Sequence, residues 1–242
     1  MAAFIAGVII CLTNLARADE YLWEGGATGK FSDPTWYDVQ TMQHNVGPPT
    51  PSDDASDESN STITFNSGSV QTLLGNGGAG FDMEGNFSCT TLIAAGVTIS
   101  GPATLTAGPV KVDGAPSIFY VQGGHLVGQS VTNTGPVVSS AGTLTVHTNV
   151  TGLISLTCSD VGSNVSVAGN MTDVNLLVEN SGHVTASNIT DSKSGASVSL
   201  QTGALLDVMT NLQINGNFFD VTGGATVNVG QNLVLDGKGS AS

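Results

Sequence analysis

One segment of this chain repeats itself after 21 residues. Residues 203–216 align without a gap over residues 224–237, and six aligned positions are identical: the first Gly, then Ala, Val, Asn, Leu and the last Gly. Looser copies begin at earlier glycines, so the full series of starts is Gly101, Gly124, Gly142, Gly162, Gly182, Gly203 and Gly224. The steps between these glycines run from 18 to 23 residues, which is the period of a solenoid.

Within each repeat, apolar residues alternate with small or polar ones, as at Val227 and Val229 and again at Leu233 and Leu235. This period of two is typical of half-buried strands. A third apolar stretch precedes each glycine, at residues 118–121, 153–156, 176–178, 198–200 and 218–221. The corners left between these stretches are too short for a crossover helix. We therefore predict an all-β chain that forms a right-handed parallel β-helix, a β-solenoid with three short strands in each coil of about 20 residues.

Glycine and asparagine recur at fixed places in the repeat. We interpret both as turn positions, because these residues best tolerate positive φ. Asparagines in adjacent coils, such as Asn211 and Asn232, would lie about 4.8 Å apart and exchange side-chain hydrogen bonds as a ladder. The alternative is that these residue types are simply abundant and fall in turns without a ladder. The predicted turn positions are Gly142, Gly162, Gly182, Gly203, Gly224, Asn149, Asn170, Asn188, Asn211 and Asn232.

Charge restricts the partners that such a chain can have. The formal charge of −14 arises from 19 acidic residues against 5 basic ones. A surface of this kind repels phosphate backbones and anionic membranes, so we expect neither nucleic acid nor an anionic membrane as a partner. Aromatic residues make up 5% of the chain, against 40% for all hydrophobic residues. This balance indicates one elongated domain with a thin core of Val, Leu and Ile.

The start of the chain differs from the rest. Residues 2–12 form an apolar run of signal-peptide length, and Ala16-Arg17-Ala18 supplies an A-x-A cleavage site. We predict a signal peptide over residues 1–18 and export to the cell surface or the medium. The usual positively charged n-region is missing, which leaves a misassigned start, a clipped leader or an interfacial anchor as alternatives.

The remaining chain is divided by composition into two parts. Residues 19–65 hold both tryptophans, Trp23 and Trp36, and are predicted to cap the first coil, which has no neighbour on one side. Within this part, residues 48–59 are rich in Pro, Asp and Ser, and we expect a mobile acidic loop without packing residues. Residues 61–65 are predicted as the first strand, and residues 66–242 as the parallel β-helix repeats.

Two motifs carry a family resemblance. The opening Trp23-Glu24-Gly25-Gly26, followed by residues 31–36 (FSDPTW), resembles the start of bacterial secreted proteins with autotransporter-type β-helical passengers. Residues 223–233 (GGATVNVGQNL) resemble the G-G-T-L-x-V-x-x-N-L repeats of that group. Phe31 and Thr35 stand where the group has Trp and Asn. The resemblance implies a passenger-like β-helix, and it reports architecture rather than one activity.

Few residues are candidates for chemistry. Residues 77–83 (GGAGFDM) match the start of a calcium-binding nonapeptide, which makes Asp82 a weak calcium candidate. Asp53 and Asp54 are two more, since clustered carboxylates collect calcium. We expect no other cofactor and no catalytic residue. The cysteines that would remain after cleavage, Cys89 and Cys158, lie about three coils apart, which is beyond disulfide reach, and are expected to be separate thiols.

These observations favour a secreted or cell-surface structural β-solenoid, an adhesin-like scaffold or binding module without catalysis. Its expected partner is an extracellular protein or glycan surface, or further copies of itself end to end. The first alternative is a carbohydrate-active β-helix enzyme, a polysaccharide hydrolase or lyase, because such enzymes use the same architecture. The second alternative is a self-assembling extracellular fibre subunit.

Overall fold

The computed structural model describes residues 18–113, 118–133, 135–152, 155–192, 197–215 and 218–236. Every regular element in these ranges is a β-strand, and the described residues contain no helix long and apolar enough to cross a membrane. The predicted signal peptide up to residue 17 and the predicted repeat residues 153, 154 and 237–242 lie outside these ranges.

The described strands form two sheets in which most neighbouring strands are parallel. The large sheet contains β1 (Glu20–Trp23), β3 (Trp36–Asp38), β4 (Gln43–Val46), β5 (Asp54–Asp57), β7 (Gly68–Asn76), β9 (Phe87–Ala95), β11 (Thr104–Val112), β13 (His125–Asn133), β15 (Thr143–Val146), β16 (Val150–Thr151), β18 (Asn164–Thr172), β20 (His183–Asp191), β22 (Leu205–Asn215), β24 (Thr226–Val229) and β25 (Asn232–Asp236). The small sheet contains β2 (Thr28–Lys30), β6 (Thr62–Phe65), β8 (Gly80–Met83), β10 (Thr98–Ser100), β12 (Phe119–Gln122), β14 (Pro136–Ser140), β17 (Ser155–Ser159), β19 (Leu176–Val178), β21 (Ser197–Leu200) and β23 (Phe218–Val221).

Successive coils lie directly over one another. In the large sheet Leu205 pairs with Thr226, which is the 21-residue shift of the sequence repeat. In the small sheet Val198 pairs with Phe219 by the same shift. Parallel pairs of this kind continue through both sheets for about eight turns. The predicted all-β parallel solenoid is therefore confirmed.

The first two of the three predicted strands run together in several coils. β18, β20 and β22 are 9, 9 and 11 residues long and cover both stretches without a break. A register shift between Ala186 and Asn188 takes up the bend where a turn was expected. The backbone stays extended there because its hydrogen bonds to the next coil continue on both sides of the bend. The coils that contain β15 with β16, and β24 with β25, keep the two stretches separate.

The interior is a narrow apolar column between the two sheets. One stacked position of the large sheet is at most 1% exposed in six successive coils, at Leu105, Leu126, Leu144, Val165, Val184 and Leu206. The small sheet faces it with Phe119, Val137, Leu156, Leu176 and Val198, each at most 2% exposed. Each such burial contributes about 1.5–3 kcal/mol, so every coil depends on the coils above and below it.

The acidic segment 48–59 is not a mobile loop without packing residues, and that prediction is wrong. Residues 54–57 form β5, which pairs in parallel with β1 on one side and β7 on the other. Ala55 and Asp57 are each 1% exposed. The Asp57 carboxylate is accommodated because it accepts hydrogen bonds from the Ser59 amide, the Ser59 hydroxyl and the Ser61 hydroxyl, at 2.6–3.0 Å.

The stack of coils also begins before residue 61, where the first strand was predicted. β1 pairs in parallel with β5, and β2 pairs in parallel with β6. Residues 20–30 therefore already form part of a coil. Beyond β1, the strands β3 and β4 add to the large sheet as an antiparallel hairpin. This hairpin lies at the N-terminal edge of the large sheet.

Aromatic side chains fill the N-terminal end of the column. The Phe31, Phe65 and Phe87 rings contact one another with centroids 4.7–5.2 Å apart. Trp36 lies edge-on to Phe31 at 5.3 Å and to Trp23 at 5.1 Å, and it is completely buried. Edge-to-face pairs of this kind add to the stabilisation from burial alone. The cluster closes the first coils where they have no further coil to pack against.

The repeat glycines are required for two different reasons. Gly162, Gly203 and Gly224 have φ values of 91°, 70° and 75°, as predicted for turns. Gly142 and Gly182 are not among the described residues with positive φ. A Cβ at Gly182 would lie 2.5 Å from the Cys158 carbonyl oxygen of the preceding coil, so that position needs glycine because two backbones approach closely.

Both described cysteines are free and buried, which confirms two separate thiols. Burial raises the pKa of Cys89 to about 12 and that of Cys158 to about 11. The thiolate is the reactive form of cysteine. Both side chains are therefore unreactive members of the core.

We expect the aromatic cluster to control stability. Phe65→Ala should lower the free energy of unfolding by about 3–5 kcal/mol, because it removes a fully buried ring and leaves a cavity. Urea denaturation followed by circular dichroism measures this change. Met42→Ala, at a side chain that is 76% exposed at the same end, is the matched control and should change stability little. Equal effects of the two substitutions would contradict the role of the cluster.

Candidate functional site

The most regular polar feature of the surface is a row of asparagines on the large sheet. We call this row the asparagine ladder. It occupies one position in five successive coils and consists of Asn149, Asn170, Asn188, Asn211 and Asn232. Each member stacks on the next because the coils superpose in register.

The side chains of the ladder bond to each other from coil to coil. Asn232 Nδ2 donates to Asn211 Oδ1 at 2.8 Å. Asn211 Nδ2 donates to Asn188 Oδ1 at 3.1 Å, and Asn188 Nδ2 donates to Asn170 Oδ1 at 2.8 Å. Asn149 Oδ1 accepts from the backbone N–H of Asn170 at 2.9 Å. The ladder predicted for Asn211 and Asn232 is confirmed, and it is longer than predicted.

The reason predicted for these asparagines is wrong. None of the five is among the described residues with positive φ. Four of them, at positions 170, 188, 211 and 232, belong to strands. An amide is suited to this place because it carries both a donor and an acceptor and so bonds to the coil above and the coil below. The position is a strand position with a side-chain ladder, and not a turn.

A row of threonines runs beside the ladder, and in three coils the threonine follows the ladder asparagine by two residues. Thr132, Thr151, Thr172 and Thr190 stack on one another in successive coils. Residues two apart on a strand share a face, so the hydroxyls lie on the same side of the sheet as the amides. We call the two rows together the ladder face.

Sequence reasoning missed the threonine row. The signal was the triplet N-x-T at Asn149, Asn170 and Asn188, which is also the pattern of an N-glycosylation acceptor. In the structure this triplet places an asparagine amide and a threonine hydroxyl side by side on the same face of the sheet.

A second polar contact joins the last described coils. His183 Nε2 lies 2.8 Å from Asp207 Oδ2, and Asn228 Nδ2 donates to Asp207 Oδ1 at 2.8 Å. The hydrogen bond from Asn228 is the main cause that lowers the pKa of Asp207; partial burial opposes it, and His183 lowers the pKa further. Asp207 and Asn228 also line a surface depression of about 230 Å³. Both oxygens of the carboxylate are thus engaged within the protein.

The other described histidines do not meet His183. His125 occupies the same stacked position as His183, but Thr143 and Asn164 lie between them in the stack. His44 pairs with Glu24 at the N-terminal end, at 2.8 Å. The stacked position that runs from His125 to His183 is therefore a row of polar outward residues and not a histidine cluster.

The calcium candidates are not brought together. Asp82 lies on β8 of the small sheet between Thr64 and Ser100, whereas Asp54 lies on β5 of the large sheet. Asp53 accepts hydrogen bonds from the amide and hydroxyl of Thr50 at 2.8 and 2.6 Å. Within the described ranges, no group of three or more His, Cys, Asp or Glu side chains is placed to hold a metal ion.

The motif around Trp23 has a local structural role. The indole Nε1 of Trp23 donates to the Gly26 carbonyl at 3.2 Å. A Cβ at Gly25 would lie 2.1 Å from the indole ring, and one at Gly29 would lie 2.6 Å from it. The glycines of the motif therefore leave room for the tryptophan ring. Trp23 also lines a depression of about 300 Å³ together with Glu24, Asn60 and neighbouring residues.

No protein family, curated protein or solved structure matches this chain in sequence or fold comparisons.

We expect the middle of the asparagine ladder to matter more than its end. Asn188→Ala removes two ladder bonds, one to Asn170 and one from Asn211, each of which should contribute about 0.5–1.5 kcal/mol of stability. Asn232→Ala, at the exposed end with one ladder bond, should cost less than about 1 kcal/mol. Urea denaturation of both variants measures the difference. Equal losses would contradict the greater contribution expected from the middle of the ladder.

We expect Asp207 to make stability depend on pH in the acid range. Because its pKa is lowered on folding from the ordinary value of 3.8, unfolded Asp207 takes up a proton at a pH where folded Asp207 stays charged. Its contribution is complete above that ordinary value and is lost as the pH falls through the lowered pKa. As the pH is lowered through the acid range, the free energy of unfolding should therefore fall less steeply for Asp207→Asn than for the wild type.

The control for this experiment is on the neighbouring strand. Asn228→Ala should flatten the pH dependence as well, since Asn228 is the main cause of the lowered pKa. Thr226→Ala changes a polar side chain of the same strand β24 and should keep the wild-type slope. An unchanged slope in Asp207→Asn would contradict the assignment.

Proposed function

We propose that this chain is a secreted or cell-surface structural β-solenoid that works as an adhesin-like scaffold and binds a partner along one long side, without catalysis. The observation that carries the proposal is the ladder face. Its asparagine side chains are held by hydrogen bonds between coils, so they lose little freedom when a partner binds. Such preorganisation lowers the entropic cost of binding.

The chemistry of the ladder face indicates the kind of partner. The amide nitrogens of Asn188, Asn211 and Asn232 each carry two N–H bonds and use one of them in the ladder, which leaves a second donor for a ligand. The threonine row adds hydroxyls, and neither row contains a carboxylate. The row is continued by Lys111 at one end and Gln213 at the other. Amides and hydroxyls at a spacing of about 4.8 Å suit a neutral extended ligand, such as a glycan chain or a protein surface.

The arrangement of the acids favours a scaffold over a carbohydrate-active enzyme. Glycoside hydrolysis uses two carboxyl groups about 5–10 Å apart across the bond to be cleaved. Asp207 lies beside His183, and both of its carboxylate oxygens are already engaged within the protein, one by His183 and the other by Asn228.

Export is supported by the signal-peptide pattern of residues 1–18.

The proposal predicts that the protein binds its partner and does not cleave it. The purified protein should bind at least one member of a panel of immobilised neutral polysaccharides and extracellular-matrix proteins, and it should release no soluble sugar from any polysaccharide. Thr172→Arg places a bulky charge in the middle of the ladder face and should weaken binding by about tenfold or more. Thr157→Arg makes the same change at an outward position of β17 in the small sheet and should leave binding unchanged.

Two results would overturn this function. Release of soluble product from a polysaccharide would establish the enzyme alternative. Equal binding by the wild type and Thr172→Arg, with loss in Thr157→Arg, would move the contact surface to the small sheet.

A further inference from the structure

The depression beside Trp23 lies at the corner where the first described coil passes from the large sheet to the small one. Its volume is about 300 Å³. It is lined by Trp23 and by residues 24, 26 and 27, which follow β1, and by residues 59–61, which lie between β5 and β6. Because β1 and β5 pair in parallel as neighbours, the depression spans two successive coils. A volume of this size is at the lower end of the range for ligand sites and suits one small group of a ligand.

Several polar groups of this depression have already committed their hydrogen atoms within the protein. The hydroxyls of Ser59 and Ser61 donate to the Asp57 carboxylate at 2.7 and 2.6 Å. The backbone amide of Ser59 donates to the same carboxylate at 3.0 Å. The indole Nε1 of Trp23 donates to the Gly26 carbonyl at 3.2 Å. Because a hydroxyl has one hydrogen and two lone pairs, both serines present lone pairs to a ligand.

The side chains that line the depression therefore act mainly as acceptors. Glu24 Oε2 lies 2.8 Å from His44 Nδ1, which leaves Glu24 Oε1 for a ligand. Asn60 adds an amide, whose carbonyl oxygen accepts as well. Together with the two serine oxygens, these groups offer acceptors from both coils. They suit a ligand group that donates several hydrogen bonds.

Charge at the depression favours a cation. Nine of the 19 acidic residues lie within residues 19–65, against one lysine, Lys30, and no arginine. Glu24 belongs to the wall of the depression, and the carboxylate of Asp57 lies directly behind the two serines. Negative groups around a concave surface raise the local concentration of a cation. An ammonium group carries three N–H donors, no acceptor and a positive charge, so it matches both the acceptors and the charge of this depression.

Apolar surface from Trp23 and Ala27 completes the depression. The Trp23 ring is held in place, because Gly25 and Gly29 lie against it and the Trp36 ring contacts it edge-on at 5.1 Å. The apolar wall is therefore fixed before a ligand binds. A lysine side chain has a stem of methylene groups that packs along apolar surface while its ammonium group meets polar partners. Lysine thus matches this wall better than an amino sugar does, since the ammonium group of an amino sugar is flanked by hydroxyls.

We propose that the depression beside Trp23 binds a lysine side chain of a partner protein. Glu24 Oε1, Asn60 Oδ1 and the oxygens of Ser59 and Ser61 accept hydrogen bonds from its ammonium group, and Trp23 with Ala27 contacts its methylene stem. The site lies at a corner of the first coils, whereas the ladder face begins at Thr132. This inference is therefore independent of the proposed function.

Small probes test this chemistry on the unmodified protein. Lysine with its α-amino group acetylated and its carboxyl group amidated should bind saturably, and salt should weaken its binding. The fluorescence of Trp23 reports the binding, since Trp36, the other tryptophan of the chain, is completely buried. A probe whose side-chain amine is also acetylated keeps the stem without the charge and should not bind. Equal binding of the two probes, binding of neither, or tighter binding of glucosamine would each overturn the proposal.

Matched variants separate the depression from a general attraction to acidic residues. Glu24→Gln removes one charge with little change of shape and should weaken binding of the lysine probe by about tenfold or more. Glu20→Gln removes the same charge from an exposed residue of β1 outside the depression and should leave binding unchanged. Equal weakening in both variants would refute the site.

A second pair of variants leaves Glu24 in place. Ala27→Lys puts an ammonium group of the chain itself into the depression, so the lysine probe should no longer bind. Met42→Lys adds the same charge at an exposed residue between β3 and β4 and should keep binding. Circular dichroism checks that each variant keeps the wild-type fold. Undiminished binding by a folded Ala27→Lys variant, or loss of binding in Met42→Lys, would contradict the proposal.

Discussion

The structure depends on one interaction, the parallel hydrogen bonding of each coil to the coils above and below it. A strand of the parallel coils does not pair with the next strand of its own coil, because the two lie at the same level on different sides of the column. The N–H and C=O groups of β22, for instance, are satisfied by β20 on one side and by β24 and β25 on the other. Stability is therefore shared between neighbours, and each end of the stack needs a separate solution.

The same superposition creates the surface. Once coils stack in register, any residue type that recurs at a fixed place in the repeat becomes a straight row. Leucines and valines that recur at inward places make the core, and asparagines and threonines that recur at outward places make the ladder face. The hydrogen bond from Asn232 to Asn211 and the burial of Leu212 follow from one register. Core and binding surface are thus built by the same repeat.

The first and the last described coils differ in what packs against them. At the N-terminal end, Trp36 and the phenylalanines around it replace a further coil as packing partners, and a polar antiparallel hairpin covers the edge. In the last described coil, Leu233 and Leu235 are partly exposed. Acidic residues are concentrated near the aromatic cluster, since nine of the 19 lie within residues 19–65.

The period, the parallel stacking and the inward positions could be predicted from the amino-acid sequence, because a 21-residue shift with alternating apolar residues is compatible with few other arrangements. The ladder between Asn211 and Asn232 could be predicted as well, since identical residues at one shift stack on one another. Three other features depend on contacts between coils and could not be predicted. The ladder asparagines at positions 170, 188, 211 and 232 lie in strands and not in turns, because neighbouring coils hold the backbone extended through the bend. Residues 54–57 of the acidic segment form a strand, because β1 and β7 pair with it and the hydroxyls of Ser59 and Ser61 donate hydrogen bonds to the buried Asp57 carboxylate. Gly182 is needed for the approach of another coil, a contact that no local pattern of residues encodes.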